Sequence, residues 1–211
     1  MVLTVRSVKV TLDSRVVTTS TQAAGERVSA ILRAACRVVV ADGAHDLRMG
    51  TVAERAGVSK ALVHYYFSTR HDLLRAAFAF AEDERERALE TELGTLSSGA
   101  EQVGRALVRA IDPEPDETPV LWNEVWSSLR SDPELRPLVQ ERYRAWAERI
   151  VRLLVEGQED GSVPRGIEAS SAGWRLAATA DGLESILYLG LLDLDRARAL
   201  LSAAIANELA P

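Results

Sequence analysis

The stretch TVAERAGVSKALVHYYFSTRHDLL, residues 51–74, places hydrogen-bond donors on three successive rings, at His64, Tyr65 and Tyr66. One short helix cannot turn all three side chains inward, so some of them must face solvent or a partner. With Lys60 in the same helical pattern, these groups can donate to phosphate oxygens and to acceptors on base edges. The chemistry that these residues predict is therefore recognition of nucleic acid.

The spacing around Gly57 predicts a helix-turn-helix. Ala53 keeps two helices close, Gly57 allows the sharp turn, and Val63 closes a small apolar core. Ser59, directly after the turn, is a ready N-cap for the second helix. The exposed face of that helix then shows Lys60, Ala61, His64 and Tyr65. Such a helix fits the major groove of DNA, although plain packing of two helices would give the same spacing.

The charge of the chain differs between its two parts. Of the 25 Lys and Arg and the 31 Asp and Glu, 11 and 6 lie in residues 1–80, which leaves 14 and 25 beyond them. The first part is basic and the remainder is acidic. This asymmetry fits a module that meets a polyphosphate joined to one that does not, with chance as the alternative explanation.

The composition bounds the class of protein. With 47% hydrophobic and 27% charged residues in 211, the chain is of the ordinary globular type. It has neither a bilayer-spanning apolar run nor the apolar core of a secretory signal, so we expect a cytoplasmic protein with no membrane partner. Cys36 is the only cysteine, which excludes an intrachain disulfide. His45, His64 and His71 have neither metal-ligand spacing nor a paired nucleophile, so we expect no enzyme, no cofactor and no metal.

Apolar residues recur at helical spacing along almost the whole chain. The sequence therefore predicts an all-α fold of about nine helices. These helices should cover residues 23–41, 49–56, 60–67, 69–90, 100–111, 120–130, 133–159, 168–189 and 194–209. We expect Asp132 to be the N-cap of the long seventh helix, with Pro133 in its first turn.

Residues 1–22 stand apart from this pattern. The segment VLTVRSVKVTL alternates apolar and polar residues like a strand, but no partner strand is evident. We expect a mobile arm or a loosely docked extension, with a misplaced translation start as the alternative. Arg6, Lys9 and Arg15 could contact a DNA backbone.

Residues 26–74 resemble the DNA-binding domain of the tetracycline-repressor (TetR) family of bacterial transcription regulators. The resemblance is carried by ILRAA in the first helix, TVAERAGVSKALVHYYF across the helix-turn-helix and STRHDLL at the start of the next helix. Further on, DPELRPLVQERYRAWAERIVRLL and DGLESILYLGLL are similar to the branch that includes the choline-responsive repressor. The resemblance implies a helix-turn-helix domain of three helices over residues 23–80 and a helical ligand-binding and dimerisation domain over residues 81–211.

The resemblance also implies which residues contact DNA. Those at base edges would be Lys60, Ala61 and Tyr65. Those at phosphates would be Thr51, Ser59, His64, Tyr66 and Arg70, with Thr69 offering donors at the start of the next helix.

Two positions depart from the family pattern. His64 stands where many members have a tyrosine; it can keep the contact as a donor and could make it pH-dependent. Arg48 stands where many members have a Ser or Thr cap. The cap is then lost or moved, while the guanidinium could add a contact to the DNA backbone.

Aromatic residues concentrate in two helices of the acidic part. Trp122 and Trp126 lie one helical turn apart, and Tyr143 and Trp146 share one stripe of the long helix. Apolar pockets lined by rings are the usual form of small-molecule sites, so we predict a ligand pocket here. Its possible polar anchors are Gln102, Asn123 and Glu124. The rings would suit an organic cation, and simple packing of a helical core is the alternative for each of them.

The last two helices are apolar around most of their circumference. One face of each can fill the core, and the other can meet a second copy of the chain in a four-helix interface. The residues expected in that interface are Leu176, Ala180, Leu183, Leu187, Ala199, Leu200 and Ala203. Asp181, in the same region, is interpreted as a hydrogen-bonded structural acid.

Together these features predict a homodimeric repressor of transcription. It would bind a palindromic double-stranded operator and leave it when a small-molecule effector alters the spacing of its two reading heads. An effector-independent regulator, or an activator of the same fold, is the alternative.

Overall fold

The computed structural model describes residues 17–112 and 118–210, with side chains from residue 24 in the first range and from residue 120 in the second. Within these ranges the chain forms nine α-helices and no strand, which confirms the all-α prediction. They are α1 (Val17–Asp42), α2 (Met49–Ala56), α3 (Lys60–Tyr66), α4 (Arg70–Leu93), α5 (Gly99–Ile111), α6 (Thr118–Ser128), α7 (Arg136–Asp160), α8 (Ala169–Tyr188) and α9 (Leu194–Glu208). None of these helices is both long enough and apolar enough to span a bilayer.

Two helix starts differ from the sequence prediction. α1 begins at Val17, inside the stretch expected to be an arm. Adding a residue to an existing helix gains a backbone hydrogen bond without the cost of starting a new helix, so α1 can extend beyond its buried part. Residues 1–16, including the basic residues predicted to contact DNA, lie outside the described residues. α7 begins at Arg136, because a short 3-10 turn over Pro133–Leu135 precedes it.

The chain divides into two compact units. Of the described residues, the first unit contains those up to Ala81 together with Glu124–Asp132, and the second contains those within Glu82–Asn123 and those from Pro133 onward. α4 and α6 therefore each contribute to both units. The domain boundary expected at residue 80 did not anticipate that Glu124–Asp132 belongs with the N-terminal helices.

The first unit has an apolar core to which α1 to α4 all contribute. Ile31 of α1, Val52 of α2, Val63 of α3, and Leu73 and Phe78 of α4 are fully buried. Because each short helix contributes a branched apolar side chain to this core, α2 and α3 can leave their other faces to solvent.

The second unit is built around α5, which packs against α7, α8 and α9. Leu107 and Ile111 of α5 lie in one apolar cluster with Ile150 and Leu154 of α7 and Leu176 of α8. α5 makes these contacts through a wide face of small and branched residues, while Glu101 and Arg105 on its other face are exposed.

α5 and α7 make backbone contact where two glycines meet. A Cβ atom placed on Gly99 would lie 2.3 Å from the backbone nitrogen of Gly157 and 2.8 Å from the carbonyl oxygen of Leu153. No side chain other than hydrogen fits there. The amide of Gly99 also donates to the carboxylate of Asp160 at 2.7 Å, which anchors the start of α5 to the end of α7.

Candidate DNA-reading surface and effector site

The turn between α2 and α3 is fixed by local hydrogen bonds. Gly57 adopts the left-handed conformation, with φ of 67° and ψ of 31°, and its amide donates to the carbonyl of Glu54 at 3.1 Å. The amide of Val58 donates to the carbonyl of Ala53 at 3.0 Å, which completes a Schellman motif. The hydroxyl of Ser59 accepts from the amide of Leu62 at 3.1 Å and so caps α3, as the sequence predicted.

α3 has one buried side and one exposed side. Val63 and Phe67 are buried in the first unit. The exposed side, here called the reading face, consists of Lys60, Ala61, His64 and Tyr65. It carries one cation, two hydrogen-bond donors on rings and one methyl group, a set that can donate to base and phosphate acceptors.

The aromatic row is divided between these two sides. Tyr65 is 69% exposed, whereas Tyr66 is half-buried between Tyr65 and Phe67. The ring centroids of Tyr65 and Tyr66 lie 5.1 Å apart in an edge-on arrangement. Tyr66 therefore supports the exposed ring of Tyr65 by packing, which limits the positions that ring can take.

Arg48 and Thr51 lie at the start of α2. Arg48 occupies the N-cap position without a capping hydrogen bond from its side chain, as its chemistry requires. Its guanidinium is exposed, with only a 3.5 Å contact to the carboxylate of Asp46, and it is available to a DNA backbone. Thr51, one turn into α2, is half-buried.

Two residues expected at phosphates are engaged within the protein instead. The guanidinium Nη1 of Arg70 donates to the carbonyl oxygens of Ala44 and His45, both at 2.9 Å. The amide of Thr69 donates to the carboxylate of Asp72 at 2.9 Å, so it is not a free donor at the start of α4. The hydroxyl of Thr69 accepts from the amide of Asp72 in return, which closes a capping box. These groups of Arg70 and Thr69 are therefore engaged within the described structure, and their contact with phosphate stays a prediction.

In the second unit, a tryptophan meets a buried acid. The indole nitrogen of Trp122 donates to Oε1 of Glu82 at 2.9 Å. Burial raises the pKa of Glu82, and Arg85 opposes this effect with a guanidinium nitrogen 3.9 Å from the same oxygen. The indole N–H of the half-buried Trp122 therefore has a polar partner in Glu82, as the N–H of a tryptophan removed from water usually does.

A second aromatic–acid pair joins α7 to α8. The hydroxyl of Tyr143 donates to Oδ2 of Asp181, and the ring centroid of Tyr143 lies 6.1 Å from that of Trp174. Burial and the bond to Asp181 raise the pKa of Tyr143. Burial also raises the pKa of Asp181. The interpretation of Asp181 as a hydrogen-bonded acid is confirmed, and the tyrosine is its partner.

Glu184, one turn beyond Asp181, completes an acidic cluster of Glu82, Asp181 and Glu184. Burial raises the pKa of Glu184 to about 7; the negative charges of Asp181 and Glu82 add to this effect, and Arg85 opposes it. Arg85 acts electrostatically on all three carboxyl groups. Sequence analysis missed Glu82 and Glu184, because an acid gives no periodic signal of the aromatic partner that will lie beside it.

The residues predicted for a ligand pocket are not brought together as one group. Trp122, Asn123, Tyr143 and Trp146 belong to the second unit, whereas Trp126 and Glu124 belong to the first. Gln102 lines a separate shallow pocket with Arg149, Leu153 and Glu156, and Leu153 lies ten residues along α7 from Tyr143, about 15 Å at the rise of a helix. Gln102 is therefore not part of a site around Tyr143. Trp146 packs against the apolar core.

Part of the predicted dimer interface is already buried. Leu176, Ala180 and Leu183 lie in the core of the second unit, because they form the inner face of α8. The outer face of α8 carries Trp174, Ala178, Gly182, Ser185 and Leu189. On α9 the predicted residues Ala199, Leu200 and Ala203 are exposed, as expected for an outer face. The face of α8 that is available to a partner is thus opposite to the predicted one.

Comparison with known proteins decides the class to which this arrangement belongs. Residues 31–77 match the family "Bacterial regulatory proteins, tetR family". Residues 100–210, more than half of the chain, match "BetI-type transcriptional repressor, C-terminal". The chain belongs to the TetR family of transcriptional regulators. Its second half is that of a BetI-type repressor, and the resemblance found in the sequence is confirmed.

Individual TetR-family relatives support this assignment. The HTH-type transcriptional regulator BetI of Escherichia coli K12 is 33% identical over 164 residues, which cover 74% of this chain and 80% of the relative. A putative TetR-family regulator from Rhodococcus sp. has 28% identity and a TM-score of 0.76, covering 88% of this chain and 100% of that one. A putative transcriptional regulator from Saccharomonospora viridis, solved in complex with choline, has 27% identity and a TM-score of 0.76, covering 86% and 96%.

Proposed function

We propose that this TetR-family regulator is a homodimer that binds a palindromic operator through its first unit and is released by an organic cation bound in its second unit. The observation that carries the proposal is the acidic cluster, in which Glu82 and Asp181 accept hydrogen bonds from Trp122 and Tyr143 and Arg85 acts electrostatically on all three carboxyl groups. The relative from Saccharomonospora viridis, which was solved with choline, supports the same class of effector.

The DNA-binding part of the proposal rests on the reading face. Lys60, His64 and Tyr65 project from a helix whose buried side is fixed in an apolar core, so their positions are set before DNA arrives. Lys60 lies at the start of α3, where a side chain can reach guanine acceptors. Arg48 lies outside the reading face and is assigned to the phosphate backbone.

The effector part rests on charge and on aromatic partners. When all three carboxyl groups are ionised, their negative charge exceeds the positive charge of Arg85, which acts on each of them, and of Arg142, which acts on Glu82. Burial penalises this excess of negative charge. A bound organic cation would remove the penalty. The rings of Tyr143 and Trp174 lie close to Asp181, where they can attract a quaternary ammonium through their faces.

The dimer part rests on the outer faces of α8 and α9. Ala178, Gly182 and Ser185 on α8 and Ala199 and Ala203 on α9 are small and exposed, and large apolar groups flank them at Trp174, Leu189 and Leu200. Small residues allow two helix pairs to approach closely, and the flanking apolar groups gain by leaving water.

The test uses purified full-length protein and a duplex selected by that protein from a randomised library. Choline should weaken binding of the selected duplex, whereas its uncharged carbon isostere, 3,3-dimethylbutan-1-ol, should not. Equal effects of the two compounds would show that charge is not recognised. If choline, other quaternary ammonium ions and larger organic cations all leave DNA binding unchanged, release by an organic cation is refuted.

A further inference from the structure

One segment from outside the N-terminal helices belongs to the first unit. This segment, Glu124–Asp132, here called the α6 segment, contains the last part of α6 and the turn that follows it. It contributes two acids, Glu124 and Asp132, whose partners lie in the DNA-binding part of the chain. Neither acid has a role in the function proposed above.

Glu124 holds the turn that precedes α2. Its Oε2 accepts a hydrogen bond from the amide of Ala44 at 2.8 Å. A Cβ on Gly43 would lie 3.4 Å from the same oxygen, an ordinary contact, but Gly43 has a φ of 85°, so the backbone conformation favours glycine beside the carboxylate. Ala44 is 2% exposed, so water cannot readily replace Glu124 as the acceptor.

Asp132 lies beside a histidine at the start of α4, in electrostatic contact rather than hydrogen-bonded to it. It is 3% exposed, and its Oδ2 lies 3.5 Å from Nδ1 of His71. Nε2 of His71 lies 3.2 Å from Nη2 of Arg70. A guanidinium can only donate, so in the neutral imidazole Nε2 is the acceptor and the N–H on Nδ1 faces the carboxylate.

The two acids act on the same turn from opposite directions. Arg70, at the end of the Asp132–His71 chain, donates to the carbonyl oxygens of Ala44 and His45. Glu124 accepts from the amide of Ala44. The amide of Ala44 is therefore bonded to the α6 segment itself, and its carbonyl is bonded to Arg70, whose guanidinium lies next to the imidazole that faces Asp132.

These contacts lie at both ends of the helix-turn-helix. The turn at Ala44 leads into α2 through Arg48, and Arg70 begins α4 shortly after α3 ends. When the turn before α2 and the start of α4 are both fixed, the orientation of α2 and α3 between them is fixed as well. The reading face lies on α3. We propose that Glu124 and Asp132 are positioning residues for DNA recognition, which orient the reading face through the Ala44 turn and Arg70.

This inference rests on the DNA binding proposed above, and its test compares Glu124→Leu with Glu124→Gln in the full-length chain. The leucine removes the acceptor at similar volume, and the glutamine retains one. Glu124→Leu should weaken binding of the selected duplex about tenfold and leave binding of random duplex nearly unchanged, because non-specific binding depends on charge rather than orientation. Glu124→Gln should restore affinity to within about threefold of wild type.

The control is Glu141→Leu, which removes one exposed acid from α7 of the second unit and so matches the change in net charge. It should bind both duplexes like wild type. A folded Glu124→Leu that binds the selected duplex like wild type would overturn the inference. So would a glutamine variant as weak as the leucine variant, or equal losses on selected and random duplex.

Amide hydrogen exchange provides a measurement that needs no variant. In the wild-type chain the amide of Ala44 should exchange slowly, because it donates a hydrogen bond to Glu124. Rapid exchange would overturn the inference even if Glu124→Leu failed to fold. A wild-type protein that bound no duplex would refute the proposed function, and protection at Ala44 would then still report the contact itself.

Discussion

The first unit presents its binding groups on an exposed helix face, whereas the second unit collects its acids and rings among several helices. The reading face is made by four residues within six positions of one helix. The acidic cluster combines α4 and α8, and its aromatic partners come from α6, α7 and α8. A surface that must meet a large rigid polyanion can be built locally, but a site that must enclose a small ion needs partners from several directions.

This difference affects how each unit responds to mutation. A substitution on the reading face changes one contact and leaves the fold intact, since these side chains have few partners within the chain. A substitution in the acidic cluster changes the charge balance of its neighbours as well, because the carboxyl groups interact. Five expected outcomes follow, from the largest effect to the smallest.

The largest loss of operator affinity is expected from a substitution in the second unit that prevents dimerisation. Gly182→Arg places a charged side chain on the outer face of α8, where a Cβ meets nothing within 4 Å in the subunit. The subunit should fold, but the dimer should dissociate and operator affinity should fall at least about a hundredfold, because two linked half-sites bind far better than one. Sedimentation velocity and DNA binding measure the two effects.

Gly104→Arg is the matched control for that change. Gly104 also lies in a helix of the second unit and also faces open space. It should leave both dimerisation and operator affinity as they are. A Gly182→Arg protein that remains dimeric would show that the outer face of α8 is not the interface.

Within the first unit, a base contact should differ from a phosphate contact. Lys60→Ala should lower affinity for the selected duplex by about 1–3 kcal/mol and relax preference at one base pair in each half-site. Arg48→Ala should weaken selected and random duplex alike and reduce the slope of log affinity against log salt by about one. Binding measured on a series of single-base variants separates them. If Arg48→Ala changes the preferred base and Lys60→Ala does not, the two assignments are reversed.

In the second unit, cation binding should depend on pH. Because the pKa of Glu184 is raised to about 7, the carboxyl is mostly neutral below that pH and ionised above it. Choline affinity should therefore rise between about pH 6 and 8, by up to about tenfold. Glu184→Gln should bind weakly with little dependence on pH across this window. Calorimetric titrations in buffers of different ionisation enthalpy should also detect release of a proton on binding.

The same acid makes a prediction about stability. Its pKa is raised from 4.5 to about 7 in the folded chain, so its contribution to stability is fully present below about pH 4.5 and is lost as pH rises from there to about 7. Melting temperature should thus fall over this range more in wild type than in Glu184→Gln, and choline should reduce the difference. Parallel melting curves of the two proteins would contradict burial of Glu184.

The smallest effect is expected at the edge of the reading face. His64→Phe removes a donor and keeps an aromatic ring, so affinity should fall by about 0.5–1.5 kcal/mol. Selected and random duplex should be affected equally if the imidazole binds phosphate. A loss confined to the selected duplex would instead place His64 at a base edge.

The fold and the reading face could be predicted from sequence because their determinants are close together along the chain. Gly57, Ser59 and Val63 specify a turn, a cap and a core contact within a few residues. The Thr69–Asp72 capping box has equally short spacing. This spacing indicates that the donors at the start of α4 are engaged within the helix.

The remaining errors concern contacts between residues far apart in sequence. Nothing near Arg70 indicates that it will reach the carbonyl of Ala44, and nothing near Trp122 indicates Glu82. The inner and outer faces of α8 could not be distinguished, because both are apolar and periodicity does not say which one meets the core. Identifying such partners requires the packed structure.

The contact between Gly99 and Gly157 bears on how such a regulator could be re-engineered as a sensor for another molecule. Where the backbones of α5 and α7 touch, no side chain can be replaced by another of different size, so the two helices cannot pack differently at this point. Random libraries that include it would consist mostly of unfolded proteins. Diversity placed instead at Trp122, Tyr143, Trp174 and the three carboxyl groups would vary the shape and charge of the proposed effector site and leave this joint of the scaffold unaltered.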